Sequence, residues 1–166
     1  MTTQAAGTID AELVNAFMNA TTEVLGTMAQ TEVNFKGAKA ETDFKPTGDI
    51  SSVIGITGQK GSGVVMLSFP INVASLIVSR LLGTTEAQVT SEDRCDGIGE
   101  LANMISGNAK TKMSAGDEEP YKLSLPSVIL GTGHSISGHP NNQPNLIMVF
   151  GVDEEDFTVQ LCFKYN

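Results

Sequence analysis

A stripe of polar residues between positions 96 and 110 carries side chains that could do chemistry together. Asp96, Glu100 and Asn103 are spaced four and three residues apart, and Gly107 and Lys110 continue the same spacing. Side chains three and four positions apart share one face of an α-helix. If the segment is helical, two carboxylates, an uncharged amide and an ammonium group therefore lie along a single surface.

The segment around the stripe, DGIGELANMISGNAK, is predicted to be a helix with an apolar face opposite the stripe. With Asp96 set at 0° and about 100° per residue, the five stripe residues lie within about 40° of it. The apolar residues lie between about 140° and 240° on the same wheel. They are Ile98, Leu101, Ala102, Ile105 and Ala109. We therefore expect the stripe to face outward and the apolar residues to face the core.

A solvated polar face is the commoner explanation for such a stripe, because exposed Glu and Asn are frequent on helices. Two features favour a functional surface. Asn is a poor interior helix residue, since its amide competes for backbone hydrogen bonds. Gly97, Gly99 and Gly107 flank or join the stripe, and each costs the helix about 0.5–1 kcal/mol against alanine. We interpret these glycines as clearing bulk around Glu100 and Asn103 so that another molecule's backbone can approach.

Apolar periodicity predicts three helices in the chain. The first covers 9–28, and the second lies within 70–83, between a proline and a glycine. The third, which carries the stripe, has Thr90 or Ser91 as its N-cap and ends near residue 114. The third helix is therefore the element that must position the stripe.

Alternating and β-branched runs predict about six strands, mostly connected as hairpins. The expected strands begin within 31–57, continue with a hairpin partner at 64–69 after the turn 58–61, and then cover 122–130, 146–152 and 157–163. Pro126 interrupts the 122–130 segment, which suits an edge or bulged strand, and 131–144 reads as a loop. Three helices with these strands predict an antiparallel α+β fold in one domain covering residues 1–166.

Composition excludes several classes of function. The net charge is −9, and both nucleic acids and anionic membranes attract basic surfaces. The amino terminus, MTTQAAGT, has neither the basic nor the apolar region of a secretory signal. No apolar run approaches the roughly 20 residues of a membrane span. We therefore expect a cytoplasmic protein that does not bind nucleic acid or membranes.

The cysteines and histidines do not predict a metal or thiol site. Cys95 and Cys162 lie far apart in apolar segments, which is typical of reduced, packed thiols in a cytoplasmic protein. His134 and His139 are five residues apart with no Cys or acidic neighbour, so we expect no metal site there. The chemistry is therefore expected on the stripe.

Residues 96–107, which read D-x-x-x-E-x-x-N-x-x-x-G, resemble the signature of the CheC/CheX/FliY chemotaxis phosphatases, most closely the CheX type. The resemblance extends over residues 9 to 165. It is also carried by Asn15–Leu25 of the first helix, the hairpin Val53–Phe69, the helix end Leu81–Gly83 and the terminal segment Asp153–Phe163. It implies a CheC/CheX-like α+β fold.

The resemblance also implies an activity and a set of site residues. A CheX-like protein hydrolyses the aspartyl-phosphate of a CheY-like response-regulator receiver. By this resemblance Asn103 positions the attacking water, Glu100 anchors the receiver's active-site lysine, and Asp96 and Gly107 bind the partner. Lys110 lies beyond the motif; we expect it to contact acidic residues of the partner, with a solvated lysine as the simpler alternative. No metal or cofactor of its own is implied, because the receiver brings the Mg²⁺.

Further expectations concern partners and alternatives. The resemblance implies a homodimer through sheet edges, with the C-terminal strand offering such an edge, and it leaves open a CheD-type activator. The alternative function is a non-catalytic receiver-binding or flagellar-switch-like domain.

A second E-x-x-N, formed by Glu12 and Asn15 on the first helix, lacks flanking glycines. A polar helix flank is the simpler interpretation of that pair, and a second site is the alternative.

Overall fold

The computed structural model of the chain describes residues 10–42, 47–117, 119–136 and 145–166. Its helices are α1 (Ala11–Met28), α2 (Ile71–Leu82) and α3 (Ser91–Met113), with a short 3₁₀ turn at Glu86–Gln88. Its strands are β1 (Asn34–Glu41), β2 (Thr47–Thr57), β3 (Gly61–Phe69), β4 (Lys122–Leu123), β5 (Ser127–Ser135), β6 (Asn145–Val152) and β7 (Glu155–Tyr165).

The strands form one antiparallel sheet in the order β1-β6-β7-β3-β2, with β4 and β5 both paired to the outer side of β2. The predicted α+β class is confirmed, with seven strands in place of about six. The helices and alternate strand residues share one core, in which Phe17, Ile77, Leu101, Val65 and Phe150 are fully buried. The sheet and α1 thus support the inner face of α3.

Local signals set the ends of the first two helices. Asp10 caps α1 by accepting the backbone N–H groups of Glu12 and Leu13, at 3.0 and 3.2 Å. Helix α2 ends at Gly83, which adopts the left-handed conformation at φ 67° that glycine reaches without steric cost. Within the described residues, no helix is long and apolar enough to cross a membrane.

The predicted β2–β3 hairpin is confirmed. Thr57 pairs with Ser62, and the backbone N–H of Gly58 donates to the carbonyl of Gly61 at 2.8 Å. Beyond the turn the two strands pair continuously as far as Ile50 and Phe69. The turn chemistry and the β-branched residues on both sides were sufficient to predict this hairpin.

The predicted strand 122–130 and the predicted loop 131–144 are wrong in their bounds. Two strands, β4 and β5, flank Pro126, and β5 continues to Ser135, inside the predicted loop. Proline lacks a backbone donor and separates the two pairings with β2. Residues 137–144, which include His139, lie outside the described residues.

A hydrogen-bond network explains why β5 continues so far. Asp49 accepts the backbone N–H of Gly133 at 3.0 Å and that of Ile71, at the start of α2, at 2.8 Å. These two donors, with Gly133 first, hold the pKa of Asp49 below its usual value. His134 Nε2 lies 2.7 Å from Ser51 Oγ, and His134 Nδ1 lies 2.7 Å from the Gly131 carbonyl. These contacts attach the end of β5 to β2.

The expectation that the C-terminal strand offers a free sheet edge is wrong. Strand β7 pairs with β3 on one side, from Gly61↔Tyr165 to Ser68↔Thr158. It pairs with β6 on the other side, from Leu146↔Leu161 to Val152↔Glu155, so it lies inside the sheet. Within the described ranges, the outer strands are β1 on one side and β4 with β5 on the other. A dimer formed through sheet edges must therefore use one of these.

Both cysteines are free thiols, as predicted from the sequence. Cys162 is buried, and burial raises its pKa to about 11. Since the thiolate is the reactive form, a thiol with this pKa is a poor nucleophile. The packed-thiol interpretation therefore holds for Cys162.

Candidate functional site

Helix α3 is held firmly at both ends. At its start Thr90 and Asp93 form a reciprocal capping box, with both hydrogen bonds at 3.0 Å. At its end the backbone N–H of Ser114 donates to the Lys110 carbonyl at 2.9 Å, and the Ser114 hydroxyl accepts the N–H of Tyr121 at 3.1 Å. These caps satisfy otherwise orphaned backbone groups and stabilise both ends of α3.

The apolar face of α3 is buried as the helical wheel predicts. Ile98, Leu101, Ala102, Ile105 and Ala109 are all inaccessible to solvent. This face packs mainly against α1 and β2. The stripe must consequently lie on the side of α3 that faces away from the core.

The interpretation that all three glycines clear space for a partner is wrong for two of them. A Cβ on Gly97 would lie 2.7 Å from Val78 Cγ2, so this glycine allows α2 to pack closely on α3. A Cβ on Gly99 would lie 3.4 Å from Val128 Cγ2 and 3.7 Å from Pro126 Cγ. Only Gly107 has open space at its Cβ position, with nothing within 4 Å.

The two kinds of glycine predict opposite effects on stability. We expect Gly97→Ala to lower the free energy of unfolding by about 1–2 kcal/mol, because overpacking against Val78 exceeds the gain in helix propensity. Gly107→Ala, the matched control, should raise it by about 0.5–1 kcal/mol. Denaturant unfolding measures both values. Equal stabilisation by the two substitutions would contradict the packing role of Gly97.

The structure places the five predicted site residues together on the outer side of α3, which we call the α3 ridge (Asp96, Glu100, Asn103, Gly107 and Lys110). Asp96 and Glu100 are exposed, whereas Asn103 and Lys110 are half-buried. Within the described part of the chain, no hydrogen bond or ion pair engages the side chains of Glu100 and Asn103. The ridge therefore presents solvent-accessible polar side chains that are free to contact another molecule.

The chemistry of the α3 ridge is that of positioning. An amide both donates and accepts hydrogen bonds without carrying charge, so Asn103 can hold water beside an anion. Glu100 precedes Asn103 by three residues, about 4.5 Å of helix rise, and its carboxylate can pair with a cation. Within the described residues, no group of three His, Cys, Asp or Glu side chains could hold a metal ion.

The segment around Pro126, where β4 is followed by β5, flanks the α3 ridge on the Asn103 side. Gly99 precedes Asn103 by four residues, about one turn, and Pro126 and Val128 lie against it. Helix α3 also packs against β5. Nothing in the sequence predicts that Pro126 and Val128 pack against Gly99, because these residues are far apart in the chain.

The second E-x-x-N lies in a different setting. Glu12 and Asn15 are exposed on α1 and line a cleft of about 450 Å³ between α1, the end of α3 and the β2–β3 turn. Lys60, on another wall, donates to Asp117 at 2.6 Å, and this hydrogen bond raises the pKa of Lys60. The pair thus borders a cleft on another helix, away from the α3 ridge.

Comparisons with known proteins agree in pointing to one family. Residues 50–150 match the family model described as chemotaxis phosphatase CheX. The chain is 28% identical over 156 residues to the CheY-P phosphatase CheX of Thermotoga maritima, covering 94% of this chain and 98% of that protein.

Solved structures show the same fold. A CheX chemotaxis protein from Desulfovibrio desulfuricans has a TM-score of 0.82 and 33% identity, covering 92% of this chain and 99% of its own. A Borrelia burgdorferi complex of CheX, CheY, BeF₃ and Mg²⁺ has a TM-score of 0.72 and 22% identity, covering 95% of this chain and 99% of the matched chain. At that identity the second likeness concerns the fold alone.

Proposed function

This chain belongs to the CheX family of chemotaxis phosphatases and is a protein phosphatase, and we propose that it hydrolyses the aspartyl-phosphate of a CheY-like receiver at the α3 ridge. The observation that carries the proposal is the placement of Asn103 and Glu100 on the outer side of a capped helix, without side-chain partners among the described residues. The Thermotoga maritima relative is named a CheY-P phosphatase, which supports a CheY-like receiver as the substrate.

Asn103 is proposed to position the attacking water. An acyl phosphate is already activated, so catalysis mainly requires a water held in line behind phosphorus. The water oxygen forms a bond to phosphorus as the bond to the receiver's aspartate oxygen breaks. The products are inorganic phosphate and a free carboxylate. An uncharged amide suits this position, since a carboxylate there would repel the phosphoryl group.

Glu100 is proposed to fix the docking register. Its carboxylate lies one turn from Asn103 and can pair with the receiver's active-site lysine. Asp96 and Lys110 extend the charged contact along the α3 ridge, and Gly107 permits close approach, which its open Cβ position supports. The Mg²⁺ belongs to the receiver in this proposal. A CheD-type activator and a cytoplasmic location stay predictions.

The experiment that tests the function follows a receiver phosphorylated on its aspartate. Adding the protein is expected to shorten the lifetime of the phosphoryl group, measured by release of inorganic phosphate. Binding of the phosphorylated receiver with an unchanged lifetime would support instead the alternative of a non-catalytic binding domain.

We also propose that the homodimer forms through the β5 edge of the sheet. Strand β5 pairs only with β2 in the described residues, and Ile129 is 39% exposed. Unpaired edge strands favour pairing with another chain, and a charge placed on the edge opposes it.

Ile129→Lys should therefore give monomers in sedimentation velocity. Phe35→Lys on the β1 edge, 36% exposed, is the matched control; monomers from this variant alone would assign the interface to β1.

A further inference from the structure

We infer that Leu125 is an apolar docking contact for the receiver, beside Asn103. The inference rests on the proposed function, because it names a contact that the α3 ridge does not provide itself. The ridge consists of two carboxylates, an amide, a glycine and a lysine. Protein interfaces derive much of their binding energy from a few large side chains that become buried at the centre, surrounded by polar groups.

Leu125 lies at the flank of the α3 ridge. The next residue is Pro126. A Cβ added to Gly99, the residue before Glu100, would lie 3.7 Å from Pro126 Cγ. Consecutive Cα atoms are about 3.8 Å apart, so Leu125 is one residue from this contact with α3. On the helical wheel Gly99 lies about 40° from Asn103. The backbone of Leu125 therefore lies one residue from the Asn103 side of the ridge.

The backbone between β4 and β5, which carries Leu125, is fixed by hydrogen bonds. The backbone N–H of Ser124 donates to the Gly55 carbonyl at 2.9 Å, and Ser124 Oγ accepts the N–H of Gly55 at 2.8 Å. The same hydroxyl donates to the Leu125 carbonyl at 3.0 Å. Pairing with β2 continues on both sides, through β4 and β5. A backbone held in this way loses little conformational entropy on binding.

Leu125 is 87% exposed, more than any other large hydrophobic residue in the described chain. A single exposed leucine is ordinary by itself. What distinguishes Leu125 is its place beside the ridge, outside the β5 edge to which Ile129 belongs. The occupant is therefore assigned as the receiver that docks on the α3 ridge.

Steady-state dephosphorylation by the full chain tests the assignment. Leu125→Ala is expected to raise KM about 10-fold, with kcat within about twofold, because the contact acts in docking. Leu125→Met should retain most of the affinity. Leu82→Ala removes an equivalent leucine, 56% exposed at the end of α2, and should leave both constants unchanged. Sedimentation velocity of Leu125→Ala is expected to match that of the original chain.

Two results would overturn the assignment. One is an unchanged KM in Leu125→Ala. The other is a change in oligomeric state that accompanies the rise in KM, since Leu125 would then belong to the dimer contact. Binding to a beryllofluoride-loaded receiver separates this inference from the proposed function. If the original chain binds the loaded receiver but does not hydrolyse the aspartyl-phosphate, the phosphatase mechanism is refuted; weaker binding of that receiver by Leu125→Ala would still support the contact.

Discussion

Replacing Asn103 with alanine is expected to lower kcat for receiver dephosphorylation by about 100-fold, with little change in receiver binding. The amide is proposed to act on the attacking water, so its loss removes an interaction that operates mainly in the transition state. Asn103 is half-buried on the outer side of α3 and has no hydrogen-bond partner among the described residues, so the fold should be retained.

The matched control for this prediction is Asn15→Ala. Asn15 occupies the same place in the second E-x-x-N, but it lines the cleft beside α1. We expect its replacement to leave kcat and KM unchanged. Both variants are measured by release of inorganic phosphate from the same phosphorylated receiver. Full activity in Asn103→Ala would exclude the proposed water-positioning role, and a loss in Asn15→Ala would instead reveal a second site.

Reversing the charge of Glu100 is expected to reduce kcat/KM by about 30-fold or more. Glu100→Lys would place an ammonium group beside the receiver's lysine. Losing one partner of a desolvated charge pair costs about 2–5 kcal/mol, and repulsion adds to that. The effect should lie mainly in KM, because Glu100 is proposed to fix docking while Asn103 acts on the water.

Glu12→Lys provides the matched control for Glu100. Both glutamates are exposed and begin an E-x-x-N on a helix. Glu12 lies in the first turn of α1, so lysine there should cost only about 0.3–1 kcal/mol of stability through the helix dipole. Steady-state kinetics with increasing receiver concentration measures both variants. An equal loss in the two would show that overall charge, and not the register of Glu100, controls docking.

Periodicity predicted the parts of the fold that depend on nearby residues. The buried face of α3, its capping by Thr90 and the end of α2 at Gly83 all follow from side chains within a few positions. The outward direction of Glu100 and Asn103 follows from the same wheel. These elements place the candidate site without any knowledge of tertiary contacts.

The errors arose where distant residues decide the structure. Val78 explains Gly97, and Asp49 and Ser51 explain the continuation of β5 through Gly133 and His134. The Ser51–His134 hydrogen bond joins residues 83 positions apart, beyond the reach of any local pattern. Strand order, which places β7 inside the sheet, is likewise set by long-range pairing.

The most direct test of the account is the structure of this chain bound to a CheY-like receiver loaded with beryllofluoride and Mg²⁺. We expect the α3 ridge to enter the receiver's phosphorylation site. The Asn103 amide should lie within about 3.2 Å of a water in line with the beryllium, and Glu100 should contact the receiver's lysine. A complex in which the α3 ridge faces solvent, or in which Asn103 lies away from the beryllofluoride, would contradict it.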